Sequence, residues 1–207
     1  MVKACLFDLD GVVFDTEPLY TLFWRNLDKR LRPNIDNFEH IIKGQTLVQI
    51  YDKYFTGDED KQKEVTTLLY EYEQSMSFNY ISGFELFIKG LRSKGIKTAV
   101  VTSSNLAKMQ NVYNKHPEFK EYFDEILTSE DFAESKPSPD CYLKAAERFG
   151  VSPEECVVFE DSFNGLRSGI ASGARVIGLA TTNSVAELKP YTEEVISNYD
   201  GFTLSDH

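Results

Sequence analysis

The chain has 207 residues, 42% of them hydrophobic and 27% charged, enough to bury a core in one domain or in one domain carrying a smaller insert. A formal charge of -11 with no basic run argues against binding to a nucleic-acid backbone, and the acidic surface of a short chain makes a monomer the expected state. No apolar stretch approaches membrane-spanning length, no signal peptide is expected, and Cys5, Cys141 and Cys156 fit reduced, buried thiols, which together point to the cytoplasm.

Residues 4–16 open with an apolar run that ends on Asp8 and Asp10, followed by Gly11 and then Asp15. Side chains two apart on a strand point the same way, so Asp8 and Asp10 crowd like charges at the strand end, a repulsion that a divalent cation would offset. Residues 17–31 then place Leu19, Leu22, Phe23, Leu27 and Leu31 at helical spacing, with Pro33 just beyond as a stop. A second helix is expected over 35–43, broken by Gly44. Thr46 caps a third, with Leu47, Ile50, Tyr51, Tyr54 and Phe55 on one side. Asp58-Glu59-Asp60 starts a fourth, which carries Val65, Leu68, Leu69 and Tyr72 to about Ser77. With no convincing strand, this region reads as a helical bundle inserted after the first strand.

From Gly83 the pattern changes. A helix with Phe84, Phe87, Ile88 and Leu91 ends at Gly95, and a strand over 98–102 runs into Thr102-Ser103-Ser104. A helix over 105–115, a turn at His116-Pro117 and a strand over 123–128 follow. Ser138 and Pro139 supply an N-cap and first turn for the helix that Gly150 closes. The strand 156–159 ends on Glu160-Asp161, the helix 162–172 closes at Gly173, and strands follow over 175–179 and 194–197, with a frayed tail at 205–207. Such alternation gives an α/β fold, a doubly wound parallel sheet of the Rossmann-like kind, in which ligands bind beyond the C-terminal strand ends. Those ends read Asp8, Thr102 and Glu160-Asp161. His40, His116 and His207 lie far apart and are expected to be exposed and without a role.

Carboxylates gathered without His or Cys favour Mg2+ over zinc, and Mg2+ held by few protein oxygens normally leaves room for a substrate phosphate. Lys136, in a loop stiffened by Pro137 and Pro139, provides a fixed positive charge for a phosphoryl group or a nucleophilic carboxylate. Thr102 and the backbone N–H groups after it offer donors to phosphate oxygens.

At this point the sequence resembles the haloacid dehalogenase superfamily. The match lies in Asp8-Leu9-Asp10-Gly11-Val12, Thr102, Lys136-Pro137-Ser138-Pro139-Asp140, and Glu160-Asp161-Ser162 with Asn164-Gly165. The helical stretch between the first two motifs is similar to that of members with an inserted helical cap, among them β-phosphoglucomutases and small-metabolite phosphatases. The resemblance implies a core of residues 1–15 and 82–207, a cap of 16–81 hinged at Asp15-Thr16 and near 79–83, and an enzyme. Asp8 would be the nucleophile that forms an aspartyl-phosphate, and Asp10 the general acid and base. Mg2+ would be held by Asp8, the Asp10 carbonyl and Asp161 with Glu160 beside it, while Lys136, Thr102 and Ser103 would bind the transferring group. The mutases carry a histidine where Tyr20 stands, and an arginine after a lysine-glycine pair; here Lys43-Gly44 is followed by Gln45-Thr46-Leu47. The missing arginine weighs against a phosphomutase, and a non-catalytic module is disfavoured because every expected chemical group is present. The expected activity is therefore hydrolysis of a small phosphorylated metabolite, with Lys43 and Gln45 reaching the substrate from the cap.

Overall fold

The computed structural model describes residues 1–27, 31, 34–43 and 45–205. Its centre is β1 (Ala4–Phe7), whose four residues are fully enclosed. A strand buried on both faces must be covered on both, and β1 is flanked by two parallel neighbours, β2 (Lys97–Val101) and β4 (Cys156–Glu160). With β3 (Glu125–Leu127), β5 (Arg175–Leu179) and β6 (Val195–Ile196) the order is β3-β2-β1-β4-β5-β6, all parallel. The chain builds outward from β1 to β3 and then returns to lay β4 on the other side of β1. That reversal leaves a crevice beyond the C-terminal ends of β1 and β4, the usual ligand position in such sheets.

The two-residue repeat of the strands divides the core. Cys5, Phe7, Val100, Val157, Phe159 and Ile177 face one side, while Ala4, Leu6, Ala99, Val101 and Val158 face the other. The first side is aromatic: the Phe7 and Phe159 rings stack at 4.6 Å, and α5 (Phe84–Ser93) and α6 (Leu106–Lys115) cover it. The second, with smaller side chains, takes α7 (Asp140–Phe149), α8 (Phe163–Ser172) and α9 (Val185–Leu188).

Four helices, α1 (Glu17–Asn26), α2 (Phe38–Ile41), α3 (Leu47–Tyr54) and α4 (Glu59–Ser75), enclose a third hydrophobic cluster around Phe23, Trp24, Phe38, Ile50 and Val65. The two passages between this cluster and the sheet run side by side. Asp15 N–H donates to the Asn79 carbonyl at 2.8 Å and Ile81 N–H to the Val13 carbonyl at 2.9 Å, while Phe14 stacks on Tyr80 at 4.8 Å. These bridges are the extended pairing that the sequence did not suggest in this region.

Several boundaries differ from expectation. The second helix shrinks to α2 because Asn37 adopts a left-handed conformation (φ 57) that Asp and Asn tolerate better than other side-chain-bearing residues. Helix α1 ends at Asn26, yet Leu31 is still buried in the third cluster. Pro139, not Ser138, occupies the N-cap of α7, so the helix begins one residue late. His116 is not an idle surface residue: half-buried, its ring nitrogen bonds the Glu118 carboxylate at 2.9 Å and its ring lies against Phe14 and Tyr80. Helix α9 is too short for a helical repeat to betray, although its Ser184/Glu187 capping box was readable. Pro33, Gly44 and the tail residues Asp206 and His207 lie outside the described residues. Among the described residues no helix is long and apolar enough to cross a membrane, and Cys5, Cys141 and Cys156 are free and buried.

Candidate active site

Beyond the end of β1, Asp8 is held by its backbone N–H to the Phe159 carbonyl of β4 at 3.1 Å. Its carboxylate accepts from Lys136 Nζ at 2.6 Å, and the same ammonium donates to Glu160 at 2.7 Å and to the Val101 carbonyl at 3.1 Å. Three acceptors use the three protons of the ammonium, which also lies 5.0 Å from the Tyr142 ring centre. Lys136 is only 3% exposed and Glu160 not at all, so this is a buried pair that stands because its geometry is complete. Burial works to depress the Lys136 ammonium, but Asp8 and Glu160 hold its pKa well above the ordinary value. For Asp8 burial wins: against the pull of Lys136, and helped by Glu160 and Asp10, its carboxyl is raised to about 7. Tyr142 O–H completes Glu160 at 2.7 Å, with the Asp161 and Ser162 N–H groups on its other oxygen. No side chain fits at Gly165, where a Cβ would stand 1.9 Å from the Glu160 carboxylate.

Asp10 stands apart from that cluster. Its carboxylate accepts from Thr16 Oγ1 at 2.6 Å, from Ser104 Oγ at 3.2 Å, and from the Lys108 ammonium. Lys108, buried, also lies 4.5 Å from the centre of the Tyr20 ring, and Tyr20 O–H donates to Glu73 at 2.9 Å. Burial raises Glu73, with Lys108 and Tyr20 opposing. The two aspartates of one turn thus have separate cations, Lys136 for Asp8 and Lys108 for Asp10.

Asp161 ends the arrangement. It accepts from Thr182 O–H through its carboxylate and from Asn183 Nδ2 through its carbonyl at 2.9 Å. Burial first, then Glu17, Glu160 and Asp8, push its carboxyl well above the ordinary range. Asp8, Glu160 and Asp161 each offer an oxygen within 4.8 Å of the others. The donor set is oxygen only, and Lys136 pairs with Asp8 and Glu160 but not with Asp161, so a hard divalent cation fits the residues present. Gly11 permits the close approach: it has φ 74, and a Cβ there would lie 2.2 Å from an Asp161 oxygen and 3.1 Å from Glu17 Cγ. Burial and then Asp10 raise Glu17, while Lys43 and Lys108 pull it down.

The structure therefore brings Asp8, Lys136, Glu160 and Asp161 together, with Asp10 on its own partners alongside. Thr102 is buried, and its hydroxyl accepts the Ser104 N–H at 3.0 Å, so that N–H is already engaged rather than open to a phosphate oxygen. Ser103, next along the bend that follows β2, is half-buried. Lys43 points to Glu17, 3.7 Å away, and Gln45 Nε2 is turned back to the Ile41 carbonyl at 2.9 Å. Both line a cleft of about 220 Å³, with His40 and Ile41 beside them and Ser162, Phe163, Asn164, Arg167 and Asn183 completing its lining. Sequence reasoning missed Thr16, Glu17, Ser104, Lys108 and Gln49. Gln49 closes the α3 capping box through its Oε1 and donates from Nε2 to the Lys136 carbonyl at 3.2 Å, joining the helical insert to the loop of the buried lysine. Thr16 and Glu17 adjoin the first motif and were open to notice; Lys108 carries no local signal, since only the packing of α6 brings it to Asp10.

The model of the haloacid dehalogenase-like hydrolases matches residues 2–173. Hexitol phosphatase A of Escherichia coli is 31% identical over 86% of this chain and 82% of its own. The bifunctional riboflavin kinase/FMN phosphatase of Arabidopsis thaliana is 28% identical over 95% of this chain, which spans about half (52%) of that longer protein. Among solved structures, a HAD hydrolase, family IA, variant 3, from Entamoeba histolytica superposes with a TM-score of 0.85 at 28% identity, over 98% of this chain and 96% of that one.

Proposed function

The chain belongs to the haloacid dehalogenase-like hydrolases, and from that membership we propose a Mg2+-dependent phosphatase of a small phosphorylated metabolite acting through phospho-Asp8. The observation that carries this reading is the separate pairing of Asp8 with Lys136 and of Asp10 with Lys108. Two carboxylates in different surroundings can take different roles, one as nucleophile and one as proton carrier. Hexitol phosphatase A and the FMN phosphatase, which by their names act on phosphorylated small molecules, support the substrate class.

In this mechanism an Asp8 oxygen attacks phosphorus while the bond to the leaving oxygen breaks. Asp10 gives that oxygen a proton. Asp10 then removes a proton from water, which attacks the phosphorus of the aspartyl-phosphate and frees Asp8. Lys136, its protons held by Asp8, Glu160 and the Val101 carbonyl, offsets the charge of the transferring group, while Thr102 and Ser103 bind its oxygens. A bound Mg2+, with Asp8, the Asp10 carbonyl and Asp161 as ligands and Glu160 beside them, would neutralise the charge between nucleophile and phosphate. We further propose that residues 16–81 act as a cap that shields the site from bulk water, with Gln49 as one of its contacts to the core. The test is phosphate release from a panel of esters with and without Mg2+, by wild type and Asp8→Asn. Equal release by both would remove Asp8 from the mechanism.

A further inference from the structure

His116, the C-cap of α6, meets both passages between the sheet and the helical insert. Its ring centre lies 5.3 Å from that of Phe14, in the outgoing passage, and 4.8 Å from that of Tyr80, in the returning one. Its Nδ1 is 2.9 Å from Oε1 of Glu118, and Tyr80 O–H donates to that same oxygen at 3.1 Å. An ionised carboxylate only accepts, so Nδ1 carries the hydrogen. The bond from His116 is the largest of the influences that hold the Glu118 carboxyl below the usual range, which keeps the shared acceptor charged for both donors. Lys115 adds a second hold on the returning passage: its ammonium donates to the Met76 carbonyl and lies 5.5 Å from the Phe78 ring centre. Phe78 and Tyr80 thus face the same helix end, as alternate side chains of an extended segment do.

We infer that His116 is a positioning residue: through Glu118 and Tyr80 it clasps the hinge between sheet and insert, and so fixes where the insert stands over Asp10 during the reaction. The inference rests on the phosphatase and cap readings above and adds a residue to them. The route from the clasp to the chemistry is short. Phe14 N–H donates to the Leu9 carbonyl at 3.0 Å and the Phe14 carbonyl accepts from Gly11 N–H at 2.8 Å, so the ring against His116 belongs to the turn that carries Asp10. Two residues on, Thr16 O–H donates to the Asp10 carboxylate at 2.6 Å. Helix α6 is anchored in the core by Met109 and Val112, which makes its end a fixed post for the two passages. Rings in contact hold by surface area and can slide, whereas a directional hydrogen bond fixes Tyr80 at one place against that post. Any rotation of the insert about these passages must work against the shared Glu118 oxygen.

Hydrogen–deuterium exchange on the whole protein reads the clasp at the Asp15 and Ile81 amides, which bond across the two passages to the Asn79 and Val13 carbonyls. Tyr80→Phe keeps its ring and loses the O–H, and His116→Phe keeps a ring and loses Nδ1. His116→Asn loses the ring and keeps an N–H donor near the place of Nδ1. Exchange at the two amides should rise about fivefold in both Phe variants, the worth of one partly exposed hydrogen bond, and stay within about twofold of wild type in His116→Asn. The amides of β1, which report global opening, should not share the rise. On any ester the wild type hydrolyses, kcat/KM should fall by about the same factor in the two Phe variants and recover in His116→Asn, a rescue that a role in ring packing alone would not allow. Wild-type exchange at the hinge amides in both Phe variants, or an Asn variant that exchanges as fast as His116→Phe, overturns the clasp. Faster exchange with unchanged kcat/KM overturns the positioning role. Hydrolysis of no ester by wild type removes the phosphatase reading and the positioning role with it, while the exchange rates still decide the clasp.

Discussion

Replacing the proposed nucleophile should make the metal-free protein more stable. The Asp8 carboxyl is raised from 3.8 to about 7 in the fold, because burial, Glu160 and Asp10 outweigh Lys136. Between those two values the native state holds a proton that the unfolded chain has released, so wild-type stability falls as pH rises from about 4 to about 7 and the full penalty persists above. At about 1.4 kcal/mol for each pH unit, the ceiling on that penalty is roughly 4 kcal/mol. Asp8→Asn has no charge to lose and escapes it. In a chain of this size 1 kcal/mol moves Tm by about 2–4 °C, so the variant should melt at least about 2 °C above wild type in EDTA near pH 8. Near pH 4 the difference should vanish, since Asp8 is then protonated in the native wild type as well. Adding Mg2+ should reverse the order, because wild type keeps the carboxylate that binds it. Circular-dichroism melts at the two pH values settle the matter: an Asp8→Asn variant that melts at or below wild type near pH 8, or whose gain survives undiminished near pH 4, refutes the electrostatic account.

Gly165→Ala places a Cβ 1.9 Å from a Glu160 carboxylate that Lys136 and Tyr142 hold fixed, so a loss of roughly 2–3 kcal/mol is expected in thermal melts. Lys108→Met leaves Asp10 on hydroxyls alone and should lower kcat by about a hundredfold on any ester the wild type hydrolyses, with partial recovery in Lys108→Arg, measured by steady-state kinetics. Gln49→Ala removes the hydrogen bond to the Lys136 carbonyl and leaves the α3 capping box half made. Its expected cost is about 1 kcal/mol, read in a urea titration.

The sheet was legible because buried parallel strands need continuous apolar runs, and 98–102 and 156–159 carry them next to polar ends. The acids and Lys136 were legible for the same reason: each follows a strand or sits in a loop stiffened by prolines. What sequence could not supply was pairing. Nothing local tells that Lys108, on α6, turns to Asp10, or that Gln49, on α3, reaches the Lys136 carbonyl, since both depend on how helices pack. At Thr102 the hydroxyl accepts the Ser104 N–H in the strand-to-helix bend, which engages that backbone donor and leaves the Thr102 O–H proton to donate. Lys43 was assigned a reach toward substrate, and the structure adds Glu17 as its partner.

The central claim is that phosphate passes through Asp8. Rapid acid quenching of wild type mixed with Mg2+ and a hydrolysed ester, followed by mass spectrometry of the peptide that carries Asp8, tests it most directly. The account predicts the added mass of one phosphoryl group on Asp8, lost on treatment with hydroxylamine and absent from Asp8→Asn. Full turnover with Asp8 unmodified at every quench time, and the same turnover by Asp8→Asn, would contradict it.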